Sequence, residues 1–542
     1  MEKIKKKIKK IPTSILILTV IVLVGIFLRT HNFHAWLEFD NDQARDAALV
    51  SDVVTGKTAW PLLGPTMKGT NDSSENLFHV GPMYYYFEII SAKIFGNYPD
   101  KLAYPDLIFS ILTIPLFYYF LKKYFSANLS LALAGLWTFS YFAIKFSRFA
   151  WNTNSMPFFI LLFLLGLGEF LFRREKTSWW WALALGIALG VGVQLHAMLL
   201  VMFPFFCLGG FFLTVKSGKG MWLRWGSVLL IALVLNAGQI VHELDTNFQN
   251  TYAFFQNAND RSGSRADKFS QTFALDAACH VQSNAFMPSA LGDKDHCNFL
   301  KTAAGWVALD YDSYWQLGFI LAALAFSLFG YAALVRNFLK ETDRERKIFF
   351  GLALGYIILF FIIMFASIQE APLRYFLPSF FVPYLFLGFL IQAGQKKYPR
   401  RYFPVVALGL AILLALNVIY LLTVISQLEA KDRSGSSDVI LGELESMRDY
   451  IITTAAPSKT AYFSGGSHYV FRFLRPLQYL AGKDNFSIKQ EPQLFASMKP
   501  GEPVFYIYAS YPRKKLTAIK GMPIVTYKNF GQVAVYEVIK TK

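Results

Sequence analysis

Apolar runs long enough to cross a bilayer recur along this chain, near 13–29, 102–121, 128–147, 156–172, 179–195, 197–215, 222–241, 315–335, 348–367, 374–394 and 402–425. A hydrocarbon core roughly 30 Å thick needs about 20 such residues in a helix. Within it every backbone polar group must be satisfied inside the protein. The expected fold class is therefore an all-α polytopic membrane protein with about eleven transmembrane helices. Composition agrees: 54% of the residues are hydrophobic and 17% aromatic, above the roughly 45–50% apolar content of soluble domains. The first run, Ser14 to Leu28, follows Lys3, Lys5, Lys6, Lys7, Lys9 and Lys10 with no small-residue cleavage site after it. It reads as an uncleaved anchor rather than a signal peptide.

A formal net charge of +17 admits nucleic acid or anionic lipid as a partner. The distribution points to membrane lipid and away from nucleic acid, because the basic residues cluster in short loops between apolar runs. These are Lys122/Lys123, Arg173/Arg174/Lys176, Lys216/Lys219, Arg336 to Lys347 and Lys396 to Arg401. With the N-terminal lysines inside, eleven spans put each cluster in the cytoplasm. Loops 30–101 and 243–314 and everything after 426 then lie outside, as expected for a multi-pass protein of the plasma (inner) membrane. The apolar stretch Met83 to Phe95 carries Glu88 and Lys93 and is too short to span. It is expected to lie in the interface, with Tyr84, Tyr85 and Tyr86 at headgroup depth.

The expected organisation is a basic cytoplasmic N-terminus at 1–12, a transmembrane module at 13–426 and an extracytoplasmic α/β domain at 427–542. That tail has a helical stretch, Ser437 to Ile452, and strand-like runs at Ala461–Phe463, Val504–Tyr508 and Val533–Val538. Among three cysteines, Cys207 sits in an apolar run as packing. Cys279 and Cys297 share one outer loop, where a disulfide is compatible with the compartment.

Chemistry-bearing residues gather at the outer ends of the runs. Asp40, Asp42, Arg45 and Asp46 follow the first run directly. The plain reading is helix capping by Asp42 or Asn41, with Arg45 pairing a nearby acid. Their place at the mouth of a membrane bundle favours catalysis, most for Asp42 and next for Asp40. His79-Val80-Gly81-Pro82 and Tyr84 form a turn and aromatic platform close by, or else a surface turn into a helix. Arg148 and Asn152 lie beyond the third run and Arg374-Tyr375 open the tenth. An isolated arginine there snorkels to headgroups, but two converging on acids suit a phosphate, which guanidinium binds bidentately. Glu243 leaves the seventh run at the same level, equally suited to water contacts or to a substrate. No zinc spacing, phosphate-binding loop or nucleophile elbow is present. A divalent metal, Mg or Mn, is compatible with several carboxylates, though no ligand spacing requires one.

The order and placement of Asp42-Gln43-Ala44-Arg45-Asp46-Ala47, Gly81-Pro82-Met83-Tyr84-Tyr85-Tyr86, Ser147-Arg148 and Arg374-Tyr375-Phe376-Leu377-Pro378 resemble the GT-C integral-membrane glycosyltransferases. The branch is that of the prokaryotic protein O-mannosyltransferase and lipid A aminoarabinose transferase relatives, and the likeness spans roughly 13 to 425. The resemblance implies transfer of a monosaccharide from a polyprenyl-phosphate carrier to an acceptor outside the membrane. It implies a catalytic carboxylate at Asp42. The family's usual acidic follower is Gln43 here, leaving Asp40 for the second acidic position. The family's His-Pro-Pro turn is one residue longer here and carries His79 into the substrate site. Arg374 and Tyr375, with Arg148, are implied ligands of the donor phosphate. His79, Tyr84, Arg45, Asn152 and Glu243 are the expected substrate contacts, and an inverting attack is expected. The runner-up is a transporter or flippase of an amphiphilic anion, which would carry charge near mid-membrane and internal repeats. A non-catalytic assembly protein working through its tail is the third reading.

Overall fold

The computed structural model describes residues 12–67, 77–263, 269–292, 297, 299–303, 306–367, 372–398, 402–430, 433, 438–456, 458–490, 503–509, 518–519 and 522–539. The N-terminal lysines of the expected cytoplasmic segment lie outside these residues. Helix α1 spans Thr13–Thr30, and the first loop then folds into α2 (Asn41–Val54), a hairpin of β1 (Thr66–Met67) and β2 (Phe78–His79), α3 (Met83–Phe95) and α4 (Pro99–Leu102). The bundle continues with α5 (Tyr104–Leu121), α6 (Ala127–Phe139), α7 (Tyr141–Lys145), α8 (Met156–Arg173), α9 (Trp179–Leu195), α10 (Ala197–Thr214), α11 (Lys219–Leu235) and α12 (Ala237–Asp245). The second long loop is structured as well, as α13 (Gln249–Gly263), α14 (Phe269–Ser289) and the hairpin β3 (Leu300–Ala303) and β4 (Trp306–Leu309). Helices α15 (Tyr314–Lys340), α16 (Arg344–Ser367), α17 (Val382–Lys397) and α18 (Tyr402–Glu429) complete the bundle, with a 3₁₀ segment Leu373–Ser379 before α17.

Each of the eleven apolar runs is helical. Among the described residues, seven helices are long and apolar enough to cross a membrane. The number rises to nine if the bent pairs α11–α12 (66°) and Leu373–Ser379 with α17 (62°) each count as one span. The remaining two runs, α6 and α9, are shorter apolar helices, and only their inclusion gives eleven. The chain is thus a multi-pass membrane protein. Helix α3 differs from expectation. It does not float on lipid: Met83, Tyr84, Tyr85, Glu88, Ile89, Ser91 and Ala92 are buried in protein, and Ile94 and Phe95 form the exposed edge.

After α18 the tail forms α19 (Leu441–Ala455), β5 (Thr460–Gly465), α20 (Ser467–Lys483), β6 (Ser487–Gln490), β7 (Pro503–Ala509), β8 (Ala518–Ile519), β9 (Met522–Phe530) and β10 (Val533–Ile539). The sheet order is β6-β5-β7-β10-β9-β8, with β5 parallel to β6 and β7 and the remaining pairs antiparallel. Apolar residues of α19 and α20, including Leu444, Met447, Phe473, Leu477 and Leu480, share one core with Ala47 and Val50 of α2 and Ile89 of α3. The first loop and the tail are therefore one packed unit above the bundle. Three backbone bonds seal the junction, Phe39 N–H to Val439 O (2.9 Å), Leu441 N–H to Leu37 O (2.9 Å) and Gly442 N–H to Ala35 O (3.1 Å). Cys279 and Cys297 are joined in a disulfide that ties α14 to the segment before β3. Cys207 is buried in α10.

Candidate active site

Helix α2 begins where the sequence places its acids, and it gives each a different task. Asp40 is the N-cap, forming a reciprocal capping box with Gln43; such caps satisfy otherwise orphaned N–H groups. Its Oδ2 also accepts from Arg472 of α20, at 2.8 Å from Nε and 2.7 Å from Nη2. Asp46 faces inward and is buried. Arg45 grips it bidentately (2.8 and 3.1 Å) and the Tyr85 hydroxyl donates to it at 2.8 Å. Burial holds the Asp46 carboxyl above the usual carboxylate range, opposed by Arg45 and Tyr85. Asp42 keeps a side chain 64% exposed, with Arg45 Nη1 at 3.3 Å. Of the three acids it is the one left accessible to a substrate.

The Gly81-Pro82 turn launches α3 under a tight constraint. A Cβ on Gly81 would lie 2.3 Å from the Gln194 side chain, and Gln194 Oε1 accepts from Met83 N–H (3.1 Å). Adjacent tyrosines on α3 then diverge. Tyr85 reaches Asp46, while Tyr84 donates to Asp106 Oδ2 of α5 at 2.6 Å. Asp106 is fully buried and also accepts from Ser155 Oγ (2.6 Å) and Trp151 N–H (3.1 Å). Over the Trp151 ring, 5.7 Å from its centroid, stands the Arg374 guanidinium, which also lies 5.8 Å from the Tyr375 ring. Arg374 is exposed and has no carboxylate partner among the described residues. Two sets of contacts, Asp42–Arg45–Asp46–Tyr85 and Tyr84–Asp106–Trp151–Arg374, therefore meet on α3, where Tyr85 and Tyr84 are adjacent in the chain. One turn along α3, Glu88 is buried with Oε2 lacking a hydrogen-bond partner among the described residues. Burial, then the charges of Asp46 and Asp106, hold it well above the ordinary carboxylate range.

The other expected residues are placed as follows. Arg148 closes the C-terminal end of α1, donating to the carbonyls of Arg29 (2.9 Å), His31 (2.8 Å), Asn32 (3.2 Å) and Leu28 (3.4 Å). A cation suits that end of a helix, and these carbonyls occupy donors a phosphate would use. It also borders a crevice of about 100 Å³ with Trp36, Lys145 and Asp438. Asn152 donates to Leu195 O at 2.6 Å. His79 exchanges backbone bonds with the Asn250 side chain (2.7 and 3.0 Å), and its Nδ1 lies 2.9 Å from Gly64 O. Glu243 accepts from Thr251 N–H (3.3 Å) and Oγ1 (3.0 Å), fixing the start of α13. Thus Asp42, Arg45, Tyr84 and Arg374 belong to one connected region, and Arg148, His79, Asn152 and Glu243 are held in local backbone contacts around it. Sequence reasoning passed over Asp106, Glu88 and Arg472. Asp106 carries a signal, being the lone charged side chain in the run 102–121. Among the described residues no three His, Cys, Asp or Glu side chains are grouped to hold a metal ion.

Residues 79–241, less than half of the chain, match the family described as dolichyl-phosphate-mannose-protein mannosyltransferase. No curated protein matches the chain in sequence. The crystal structure of ArnT from Cupriavidus metallidurans bound to undecaprenyl phosphate is similar over 96% of this chain and 97% of that one, at 12% identity and a TM-score of 0.53. The Archaeoglobus fulgidus oligosaccharyltransferase in its apo form is 14% identical over 90% of this chain, with a TM-score of 0.47, and this chain spans 65% of its length. The Saccharomyces cerevisiae Pmt1–Pmt2 complex bound to the sugar donor gives 14% identity over 44% of this chain and 34% of that one, with a TM-score of 0.32. ArnT is matched nearly end to end. The chain has the GT-C glycosyltransferase fold, with a small α/β domain after its last membrane helix.

Proposed function

We propose that this chain is a glycosyltransferase that moves a monosaccharide from a polyprenyl-phosphate donor to an acceptor outside the cytoplasm. The observation that carries the reading is the end-to-end fold likeness to ArnT, a protein solved with undecaprenyl phosphate bound. Within that fold stand an accessible carboxylate, Asp42, and a guanidinium without a carboxylate partner among the described residues, Arg374, at the far ends of two contact sets that meet on α3. In this mechanism Asp42 takes the proton of an acceptor hydroxyl as its oxygen attacks the anomeric carbon. The bond from that carbon to the phosphate oxygen breaks, and polyprenyl phosphate leaves carrying both electrons of the bond. Arg374 meets the developing charge, preorganised on the Trp151 ring. Attack opposite the phosphate inverts the anomeric centre. Arg45 is turned toward Asp46 and sets the position of Asp42, while Asp40 anchors the loop to the tail. Both α2 and the Arg374 segment face the non-cytosolic side, and the N-terminus is cytoplasmic.

The test is incubation of the purified chain with a panel of radiolabelled polyprenyl-phosphate sugars and membrane extract. Label is expected to pass from the carrier to an acid-stable product in the wild type and not in Asp42→Asn. Movement of intact labelled carrier across the bilayer, with no transfer from any donor, would sink the proposal.

A further inference from the structure

At the end of the bundle opposite Asp42 and Arg374, a groove of about 670 Å³ opens between the C-terminal ends of α8 and α10 and the start of α16. Its walls are apolar, with Leu171, Phe205 and Leu213 among them. Phe205 and Leu213 are more than half exposed on the outside of the bundle, so one side of the groove is open to acyl chains. Its rim carries Arg174, Arg344 and Lys347 and no carboxylate. Glu175, beside Arg174, lies against Gly218 and outside the groove lining, and other acids nearby are engaged. Glu169 holds Lys123 and Arg173, Glu345 also holds Lys123, and Glu341 pairs with Arg346. Asp343 caps the N-terminus of α16 by accepting from Arg346 N–H (2.9 Å). Arg174, Arg344 and Lys347 are left without an ion-pair partner among the described residues, on one rim.

Isolated basic residues at helix ends need no ligand, since they face the cytosol and headgroups generally. Three unpaired cations converging on an apolar groove are a different arrangement. Basic pockets between membrane helices hold the phosphate of a lipid whose chains lie along the helices, and guanidinium meets phosphate with paired hydrogen bonds. We infer that this groove binds an anionic phospholipid of the leaflet on the side opposite the Asp42–Arg374 site, with its phosphate among Arg174, Arg344 and Lys347 and its acyl chains against α10. The occupant is the bulk anionic lipid rather than the polyprenyl carrier. Bulk lipid fills such a site by mass action, and the carrier's phosphate belongs at the other face. This site is independent of the proposed transfer reaction.

The test is native mass spectrometry of the full chain released from detergent containing equal amounts of phosphatidylglycerol and phosphatidylcholine. Wild type should retain phosphatidylglycerol at least about fivefold over phosphatidylcholine, a difference of roughly 1 kcal/mol. The triple variant Arg174→Gln, Arg344→Gln, Lys347→Gln should lose that preference. A second variant guards against misfolding. A Cβ on Gly209, which lines the groove, meets nothing within 4 Å, so Gly209→Leu should fill the groove without touching a cation and lose the lipid while folding normally. Equal phosphatidylglycerol retention by all three proteins would overturn the inference. So would retention of added undecaprenyl phosphate that the wild type shows and the triple variant loses.

Discussion

Asp40 and Arg472 are 432 positions apart in the chain, and their side chains meet at 2.7 Å. The pair joins the cap of the first helix after α1 to a helix of the terminal α/β unit, on a seam where both side chains are largely buried. Asp40→Asn keeps an oxygen to cap α2 but removes the charge, and Arg472→Gln removes the other partner. Each should lower stability by about 1–2 kcal/mol. In a double-mutant cycle the pair should show a coupling of at least about 0.5 kcal/mol. Strictly additive losses in thermal unfolding would mean that the pair does not form in solution.

Asp42 has little structural work. It is mostly exposed, and its ion pair with Arg45, the only one it makes among the described residues, is of the kind worth a fraction of a kcal/mol. Asp42→Asn should therefore unfold within about 0.5 kcal/mol of wild type while sugar transfer falls by on the order of 10²-fold or more. A transfer rate near wild type would remove Asp42 from the role of base. If Asp40→Asn lost as much transfer at full folding, the base would move to Asp40.

Arg374 is predicted to act on the leaving phosphate. Arg374→Ala should cost roughly 10²–10³ in transfer rate and weaken inhibition by free polyprenyl phosphate. Arg374→Lys should recover part of the rate, because it keeps the charge and loses the planar fork that stacks on Trp151. Unchanged inhibition in the alanine variant would assign the phosphate to another residue.

Glu88 makes a pH-dependent prediction. Its carboxyl is held well above the ordinary range in the folded chain by burial and by the Asp46 and Asp106 charges, so the folded state keeps a proton that the unfolded chain releases near pH 4–5. That contribution is fully present below the unfolded value and is lost as pH rises through the folded one. Asp46 is shifted upward too, and so adds in the same direction. Glu88→Gln cannot titrate and should gain stability relative to wild type as pH rises from about 5 to 9, by no more than ~1.4 kcal/mol per unit. A difference in melting temperature that stays constant over that interval would contradict it.

The membrane helices were the most legible part of the sequence because lipid demands long apolar runs, and all eleven runs are helices. Their number as spans was less legible. Helices α6 and α9 are short, and bends interrupt two runs, after Leu235 and, between Pro378 and Pro383, after Ser379. The strands β5, β7 and β10 follow from short alternating runs between Gly and Pro. Helix α20 went unread, although its burial of Phe473, Leu477 and Leu480 against α2 positions the acidic loop. The tyrosines of α3 show the same gap. Composition places such rings at headgroups, but buried Asp46 and Asp106 offer stronger partners, and partners from distant segments leave no local trace. The three acids around position 42 looked alike in sequence; only tertiary contacts separate a clamp, a buried anchor and an accessible carboxylate.

The seam at Phe39–Val439 and Asp40–Arg472 also imposes an order on biosynthesis. Chains emerge N-terminal end first, so α2 leaves the ribosome some four hundred residues before the partners that clamp it. Until α19 and α20 arrive, α2 can pack on α3 but lacks the Arg472 clamp on Asp40 and the apolar face of α20. On the proposed function, a nascent chain should therefore transfer no sugar until its last hundred residues are made.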